Sequence, residues 1–468
     1  MSTVAVVAEA DAAEAHAPSP APKAEEAKGA NGGEGAEKSA PSKEGGGEEG
    51  HGGKGDKTEK SGKGDKGDKG DKGYAGRKRG SYEDDDKEYV ECDPNALVAA
   101  LVRLNENRGG NLVLAKDCTY TLTANLDGSG LPRITQPISI FGHGATIERA
   151  ANADQFRLFD VGPGGDLKLR KLTLTRGKTI EAEEGGAIRV SNAGRIELND
   201  VKVTDNTVDS IEDDDAGGLL NDGIATVRSS VFQGNSGDDG AAITNNDGKV
   251  EIVDSEITRN TADPDDGFAA LYNDGTMKIL KSTVSHNIAS DGGGVHNDEV
   301  LEVEESTFAY NFAAEEGGGI ESDAGQLHLR DSLIKGNTAG ENGGGVDLPA
   351  PATIVRTKIV DNVVTGGEAT GGGVFVDVGV GEAVSIRDSK IIGNQAPGDA
   401  ASGGGIFVTG SGGVLRLTDV KVTGNISDEP AGGVDNNGTV ETYGKIKIVD
   451  NVPTNCEGGA NPVPNCFG

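Results

Sequence analysis

Tryptophan is absent from the 468-residue chain, and aromatic residues make up only 4% of it. So few large side chains argue against several ordinary hydrophobic cores. Basic residues are also scarce, with 44 Lys and Arg against 77 Asp and Glu and a net charge of −33. Because phosphate recognition needs a concentrated basic surface, the composition predicts no nucleic-acid partner.

The sequence also lacks the roughly 18 consecutive apolar residues that a membrane span needs. Its N-terminus, MSTVAVVAEADAAEAHA, has neither the basic start nor the apolar core of a signal peptide. Only four cysteines occur, in two local pairs, Cys92 with Cys118 and Cys456 with Cys466. Their even number and terminal placement predict two disulfides and a secreted or cell-surface protein, despite the missing signal peptide. Four unrelated buried thiols are the alternative.

Glycine, in contrast, is abundant, with 75 residues. Residues 1–88 combine it with Ala, Glu, Lys, Ser and Pro and have little apolar content, which predicts a disordered charged tail. The remaining residues, 89–468, are expected to form one folded domain. It should open with a cap, 92–123, that contains a helix with Asp93 as N-cap, Pro94 at the first position and Gly109 after its end. The apolar face of this helix consists of Leu97, Leu101 and Leu104.

A repeat then fills most of the domain. LKLRKLTLTRG (167–177) aligns with IELNDVKVTDN (196–206), and each is two short alternating strands joined by a two-residue kink. After each such pair comes an acidic or glycine-rich connector, and then GGAI, GGGI or GGGV. The asparagines that close the pairs recur about every 27 residues: Asn206, Asn235, Asn260, Asn287, Asn311, Asn337, Asn362, Asn394, Asn425 and Asn451.

A fixed period of this length with three short strand signals indicates a solenoid. We therefore predict an all-β, single-stranded parallel β-helix, in which stacked coils hydrogen-bond to each other along the axis. Irregular coils are expected over 124–164 and regular coils over 165–451. A C-terminal tail that a disulfide closes, 452–468, should follow.

The repeat motifs resemble those of known proteins. GGAI (185–188), FQGN (232–235) and FAYN (308–311) match the two short motifs of the polymorphic outer-membrane protein repeat. The cysteine-bounded ends are similar to those of secreted actinobacterial β-helix proteins of the pectin-lyase-like fold group. This resemblance implies a right-handed β-helix. It implies no single activity, because such proteins include lyases, hydrolases and adhesins.

The ten asparagines are interpreted as an internal ladder, in which each side-chain amide donates to one neighbouring coil and accepts from the other. The glycines of stretches such as GNTAGENGGGV (336–346) are interpreted as solenoid turns. A phosphate-binding loop would occur once and would open a helix.

Acidic connectors recur at 181–184, 212–215, 237–240, 263–266 and 314–316, and should stack into a carboxylate stripe. A second column lies at the turns and consists of Asn-Asp-Gly at 221–223, 246–248 and 273–275 and Asn-Asp at 297–298. Asn-Asp-Gly is a common sequence of tight turns. The stripe leaves open calcium binding, paired-carboxylate catalysis or a solvated edge that resists aggregation.

Histidine offers no obvious catalytic set. The Gly-His-Gly at 142–144, which polygalacturonases of this fold group also contain, fits better as a turn into the next strand. His286, His296 and His328 occupy different positions in the repeat. We therefore assign no catalytic, cofactor-binding or metal-binding residue, and expect no cofactor apart from the open possibility of calcium.

The expected function is that of a secreted or cell-surface structural and interaction protein. It should be monomeric, with polysaccharide or cell-surface components as partners. The alternative is a polysaccharide lyase or glycoside hydrolase of the pectin-lyase-like group.

Overall fold

The strands of the chain stack into a parallel solenoid of about 13 turns, as the repeat predicts. The computed structural model describes residues 87–180, 185–209, 215–263 and 267–468. The prediction of a disordered tail thus falls, over residues 1–86, outside the described residues. Lys87 and Glu88, which the sequence assigns to that tail, lie in the first strand.

One helix, α1, closes the N-terminal end and spans Pro94–Glu106. The side chain of Asp93 accepts a hydrogen bond from the backbone N–H of Asn95, so it caps the helix as the sequence predicts. Gly109, with a φ of 93°, donates its N–H to the carbonyl of Leu104 and redirects the chain. The leucines of the apolar face are buried against the first coils.

Four strand positions recur around each coil, and we name the stacks that they form A, B, C and D in chain order. Neighbouring strands of a stack pair in parallel, in register across successive coils, as in Met277 with Leu301 and Leu301 with Leu327. Five strands pass from one stack to the next: Pro137–Arg149, Asp166–Thr175 and Arg195–Thr204 run from B to C, and Gly240–Val253 and Ala269–Leu280 run from A to B.

The A stack also contains Phe159–Val161, Ile188–Val190, Leu219–Asn221, Val295–Asn297, Ile320–Ser322, Val346–Leu348, Val374–Val376, Ile406–Val408 and Val434–Asn436. The B stack also contains Lys87–Val90, Gly110–Leu114, Ile224–Arg228, Val300–Glu304, Gln326–Arg330, Ala352–Val355, Ala383–Arg387, Val414–Thr418 and Thr439–Tyr443. The C stack also contains Thr119–Leu122, Val231–Gln233, Glu256–Thr258, Thr283–Ser285, Thr307–Ala309, Leu333–Lys335, Lys358–Val360, Lys390–Ile392, Lys421–Thr423 and Lys447–Val449.

The D stack consists of very short strands in the connectors: Ile288–Ala289, Phe312–Ala313, Thr338–Ala339, Val363–Val364, Gln395–Ala396 and Ile426–Ser427, together with the separate pair Lys178–Ile180 and Thr207–Asp209. Small apolar side chains, among them Ala313, Ala339 and Ala396, form a second core next to it.

The main core lies inside the coils. Alternation along each strand turns every second residue inward, and these residues are Leu, Ile, Val and Phe with almost no exposed surface. Each coil bends where B meets C at a residue with positive φ, such as Asp200 or Asp331, which matches the predicted kink. Within the coils predicted to be irregular, Pro137–Arg149 pairs with Asp166–Thr175, with a shift in register between Phe141 and Ala145. The predicted cap likewise contains two strands that belong to the solenoid, Gly110–Leu114 and Thr119–Leu122.

Candidate functional site

The ten repeat asparagines lie one above another at the C-terminal ends of the C-stack strands. Asn287 is representative. Its Nδ2 donates to Oδ1 of Asn311 (3.0 Å), and its Oδ1 accepts from both Nδ2 (3.1 Å) and the backbone N–H (2.9 Å) of Asn260. The same contacts link every neighbouring pair from Asn206 to Asn451, and Asn451 donates onward to Asn455. These amides are buried and hydrogen-bond to one another.

A second asparagine ladder runs along the ends of the A-stack strands. Asn221 donates to Asn245 (2.8 Å), Asn245 to Asn273 (2.8 Å), and Asn273 to Asn297 (2.7 Å). The sequence places these residues in tight turns and aligns the column through Asn246. The structure pairs Asn245 with Asn221 and Asn273 instead, so that alignment is wrong by one residue.

A third ladder follows the bend between B and C. Each backbone N–H donates to the hydroxyl one coil further on, as from Ser255 to Ser282 (3.1 Å) and from Ser282 to Ser306 (3.1 Å). The sequence signal is a Ser or Thr directly after the kink in seven successive coils. The other members are Ser230, Ser332, Thr357 and Ser389.

The cysteines form two disulfides, Cys92–Cys118 and Cys456–Cys466, and none is free. The first ties the residue before the α1 cap to the start of a C-stack strand, and the second closes the C-terminal tail. The predicted pairing is therefore present at both ends of the solenoid.

The acidic connectors are described only in part. Residues 181–184, 212–214 and 264–266 lie outside the described residues, and with them much of the predicted carboxylate stripe. Where the connectors are described, neighbouring coils do contact each other. The backbone N–H of Glu316 donates to Asp291 (3.3 Å), and the amide of Asn342 donates to Glu316 (2.7 Å).

A titratable cluster lies beside these connectors, on the outward side of the A stack. Register places Tyr272 next to His296, His296 next to Glu321, and Glu321 next to Asp347 on four successive coils. Each is the residue that follows the GGG[IV] motif or its equivalent, and this position is the signal that could have identified them. The histidines alone do not reveal the cluster, because the residues that meet at this position differ in type from coil to coil.

His296 is hydrogen-bonded through both ring nitrogens. Nε2 lies 3.3 Å from Asp298 Oδ1 and Nδ1 lies 3.2 Å from Glu321 Oε2. Burial acts to lower the pKa of His296, but the hydrogen bonds and the charges of the two carboxylates outweigh it and raise the pKa to about 10. The ring is therefore an imidazolium at neutral pH, and both N–H groups donate.

Tyr272 completes the chain of contacts by donating its hydroxyl to Asp298 Oδ2 (2.9 Å). Burial and this hydrogen bond raise the pKa of Tyr272, which keeps the phenol neutral. For Asp298, burial acts to raise the pKa, but the bonds from His296 and Tyr272 outweigh it and lower the pKa. Phe268 covers the cluster, with its ring centroid 4.7 Å from that of His296.

The next carboxylate along the stack has a different environment. Asp347 is fully buried, and neither of its oxygens has a hydrogen-bond partner among the described residues. Burial, reinforced by the nearby carboxylates of Glu321 and Glu316, raises the pKa of Asp347 well above its usual range. Burial likewise raises the pKa of Asp291 to about 6, with Glu321 adding to the shift. These carboxyls hold protons more tightly than free ones do.

The cluster contains the residue types of acid–base chemistry, but it is enclosed. His296 and Glu321 are each 5% exposed. Within the described ranges no group of three or more His, Cys, Asp or Glu side chains has a geometry that could hold a metal ion. On the next two coils after Asp347 the same column presents two stacked rings, Phe375 and Phe407, with centroids 5.6 Å apart. No helix among the described residues is long and apolar enough to span a membrane.

Known proteins resemble this chain in their fold. Residues 186–348 match the family model for the right handed beta helix region. Sequence comparison with curated proteins gives no match. The A-module of the mannuronan C-5 epimerase AlgE6 of Azotobacter vinelandii is a structural neighbour at 14% identity and a TM-score of 0.34, covering 79% of this chain and 95% of its own.

PfbA, a surface adhesin of Streptococcus pneumoniae, is another neighbour at 11% identity and a TM-score of 0.34, covering 76% of this chain and 100% of its own. Likeness at this level says nothing about activity or partners. The matched region and the all-parallel stacks together show that the chain has a right-handed parallel β-helix fold.

Proposed function

We propose that the chain is an extracellular structural and interaction protein whose β-helix does not catalyse a reaction. Two disulfides, one near each end of the solenoid, suit an oxidising compartment outside the cytoplasm. Between them, three side-chain ladders connect successive coils through buried hydrogen bonds. A solenoid held in this way offers an extended and rigid surface for binding.

The state of the His296 cluster is the observation that carries the proposal. A general base works best with a pKa near the operating pH. The pKa of His296, about 10, leaves its ring without a free nitrogen base near neutrality, and the two nitrogens already donate to carboxylates. The phenol of Tyr272 is neutral because burial and its hydrogen bond to Asp298 raise its pKa. The cluster therefore acts as a closed ionic contact between coils.

The test is incubation of the full chain with acidic and neutral polysaccharides, with and without calcium. We expect neither unsaturated uronates, measured by ultraviolet absorbance, nor new reducing ends. Either product would overturn the non-catalytic assignment. Separately, alkylation followed by intact-mass measurement should add no label before reduction and four labels after it. Four labels before reduction would overturn the extracellular assignment.

A second candidate is a polysaccharide lyase or glycoside hydrolase, which the hydrogen-bonded chain from Tyr272 through Asp298 and His296 to Glu321 favours. If the assay detects turnover, Tyr272→Phe distinguishes the roles, because it removes one hydroxyl and keeps the ring. A catalytic phenol predicts a loss of at least 100-fold in kcat without a change in the unfolding midpoint. The matched control is Tyr310→Phe, at a residue that is 52% exposed.

A further inference from the structure

A groove of about 750 Å³ lies on the outward face of the first four B-stack strands, far along the chain from the His296 cluster. Lys87–Val90 and Gly110–Leu114 form one side, and 137–141 and 166–170 form the other. Its volume is that of a site for a ligand of several hundred daltons. The proposed function does not by itself require a pocket here.

Strand register fixes which side chains reach this face. One column of aligned residues consists of Lys87, Asn111, Ser139 and Lys168, and the next consists of Tyr89, Val113, Phe141 and Arg170. The columns stand two residues apart on each strand, so both point outward. Lys87 and Lys168 are three strand spacings apart, roughly 14 Å.

The charge of the groove is opposite to that of the chain. Four cations line it, Lys87, Lys116, Lys168 and Arg170, and none of the described lining residues is a carboxylate. Glu197 lies beyond the lining and pairs with Lys168 (3.7 Å) and Arg170 (3.3 Å), and Asp117 pairs with Lys116 (3.6 Å). The side chains of Lys116, Lys168 and Arg170 are substantially exposed, and ion pairs at exposed cations contribute little, so the carboxylates of a ligand can take the place of Glu197 and Asp117.

Aromatic and hydrogen-bonding groups share the groove with the cations. Tyr89 is 69% exposed, which leaves its ring face free to contact a ligand. Phe141 lies edge to face with His143, the centroids being 4.3 Å apart. The sequence assigns His143 to a turn, and its φ of 51° places it at the bend of its strand, where the side chain reaches the groove rim. Asn111 and Ser139 add polar groups at the groove surface.

We propose that this groove binds an anionic polysaccharide of the uronate type. The proposal rests on the proposed function and gives it a partner class and a site. The cations match the carboxylates, the rings of Tyr89 and Phe141 match the faces of sugar rings, and the polar side chains match hydroxyl groups. Nucleic acid fits less well, because its charges lie about 1.7 Å apart along a duplex and meet a chain of net charge −33 beyond the groove.

The test measures binding of the full chain to polygalacturonate by calorimetry, with fully methyl-esterified polygalacturonate as the uncharged probe. We expect binding to polygalacturonate that weakens at least tenfold in Lys168→Gln/Arg170→Gln and weakens as NaCl rises. The matched control, Arg387→Gln/Arg416→Gln, removes two cations from the B stack near its other end and should change the affinity less than twofold. Unchanged unfolding midpoints establish that both variants fold.

Several results would overturn the proposal. Equal affinity for the methyl ester would show that the charges are not used, and an equal loss in the control variant would show that the location is wrong. Tighter binding of single-stranded DNA would assign the groove to nucleic acid. If polygalacturonate does not bind while both disulfides are intact, the groove is not its binding site, but the extracellular assignment stands. Free thiols would contradict the extracellular assignment without contradicting any binding that is measured.

The chain's own acidic stretch, 83–86, directly precedes the first strand and is the competing occupant. The variant Glu83→Gln/Asp84→Asn/Asp85→Asn/Asp86→Asn tests it. Polysaccharide binding that is equal in this variant and in the native chain supports the proposal. Binding that appears only in the variant would assign the groove to the acidic stretch and overturn it.

Discussion

A single ladder asparagine satisfies the hydrogen-bonding groups of several residues at once. Asn287→Ala removes the acceptor of two Asn260 groups and the donor to Asn311 and to the carbonyl of Ile257. Because these groups stay buried without partners, we expect a loss of roughly 2–4 kcal/mol in the free energy of unfolding, measured by urea titration. No effect on polysaccharide binding is expected.

Asn192→Ala is the control for this substitution, since Asn192 lies exposed in a turn of the same solenoid. It should change the free energy of unfolding by less than about 0.5 kcal/mol. An equally small effect of Asn287→Ala would contradict the ladder as a source of stability. A loss of binding without a loss of stability would instead assign the asparagines a ligand role.

His296 gives the protein a pH-dependent contact. Its pKa in the folded state, about 10, exceeds its ordinary value of 6.5, so its charge contributes stability that is complete below about pH 6.5 and is lost as the pH rises through about 10. At pH 7, His296→Gln leaves Asp298 and Glu321 without their cation and should cost about 3–5 kcal/mol. Urea midpoints measured from pH 7 to 10 should show the native chain approaching the variant.

Asp291 titrates close to the lower end of that pH range. Its raised pKa, about 6, makes its own contribution change between about pH 3.8 and 6 in the native chain, and the loss of the His296 charge, which acts to lower this pKa, should move the change upward in the variant. A constant difference between native chain and variant from pH 7 to 10 would contradict the imidazolium assignment.

At this scale the sequence predicts what repeats and misses what does not. Asn206 and its nine counterparts have the same identity in ten successive coils, so their alignment needs no structure. The alignment of Asn245 with the other coils is ambiguous in the sequence, because Asn246 is adjacent and the pairing shifts between Asn246 and Lys249. His296 has one partner two residues away, Asp298, but its other partner, Glu321, is an unlike residue on the next coil. Ladder spacings vary from 24 to 32 residues. Side chains that meet only through coil register cannot be paired without that register.

Among the elements, α1 covers the apolar interior at the end of the solenoid, as a further coil would. It covers the N-terminal end with Leu97 and Leu101, both fully buried. Leu101→Ala should leave a cavity there and cost about 2–5 kcal/mol in the free energy of unfolding. Val102→Ala, at a neighbouring residue that is 42% exposed, is the matched control and should be neutral. If the two substitutions have equal effects on urea unfolding, the helix does not act as a cap.

The elements also show which patterns a sequence carries. Asp93, Pro94 and the leucine spacing predict α1 because capping and the helical period are local properties. The B and C strands follow from alternation over three to five residues. The D stack was not predicted, since a strand such as Phe312–Ala313 is too short to alternate. The D stack is recognised only from the pairing of its strands between neighbouring coils and from the alanines packed beside them.

For the whole molecule, the balance between ion pairs and self-repulsion decides how salt acts. Cross-coil pairs such as Arg356 with Asp331 are exposed, so each contributes little and screening costs little. The excess of acid, 77 Asp and Glu against 44 Lys and Arg, repels itself across stacked coils and favours the unfolded chain. At pH 8 we therefore expect NaCl, raised from 10 to 500 mM, to raise the thermal unfolding midpoint.

The same titration near the isoelectric point, about pH 4.5, separates repulsion from other effects of salt. There the net charge is close to zero, so the rise should disappear if self-repulsion is its cause. A midpoint that falls with NaCl at pH 8 would show that the cross-coil ion pairs outweigh the repulsion. Salt also screens the attraction between the cations of the groove and the carboxylates of the polysaccharide. The unfolding midpoint should therefore rise, and the affinity for polysaccharide should fall, over the same range of NaCl concentration.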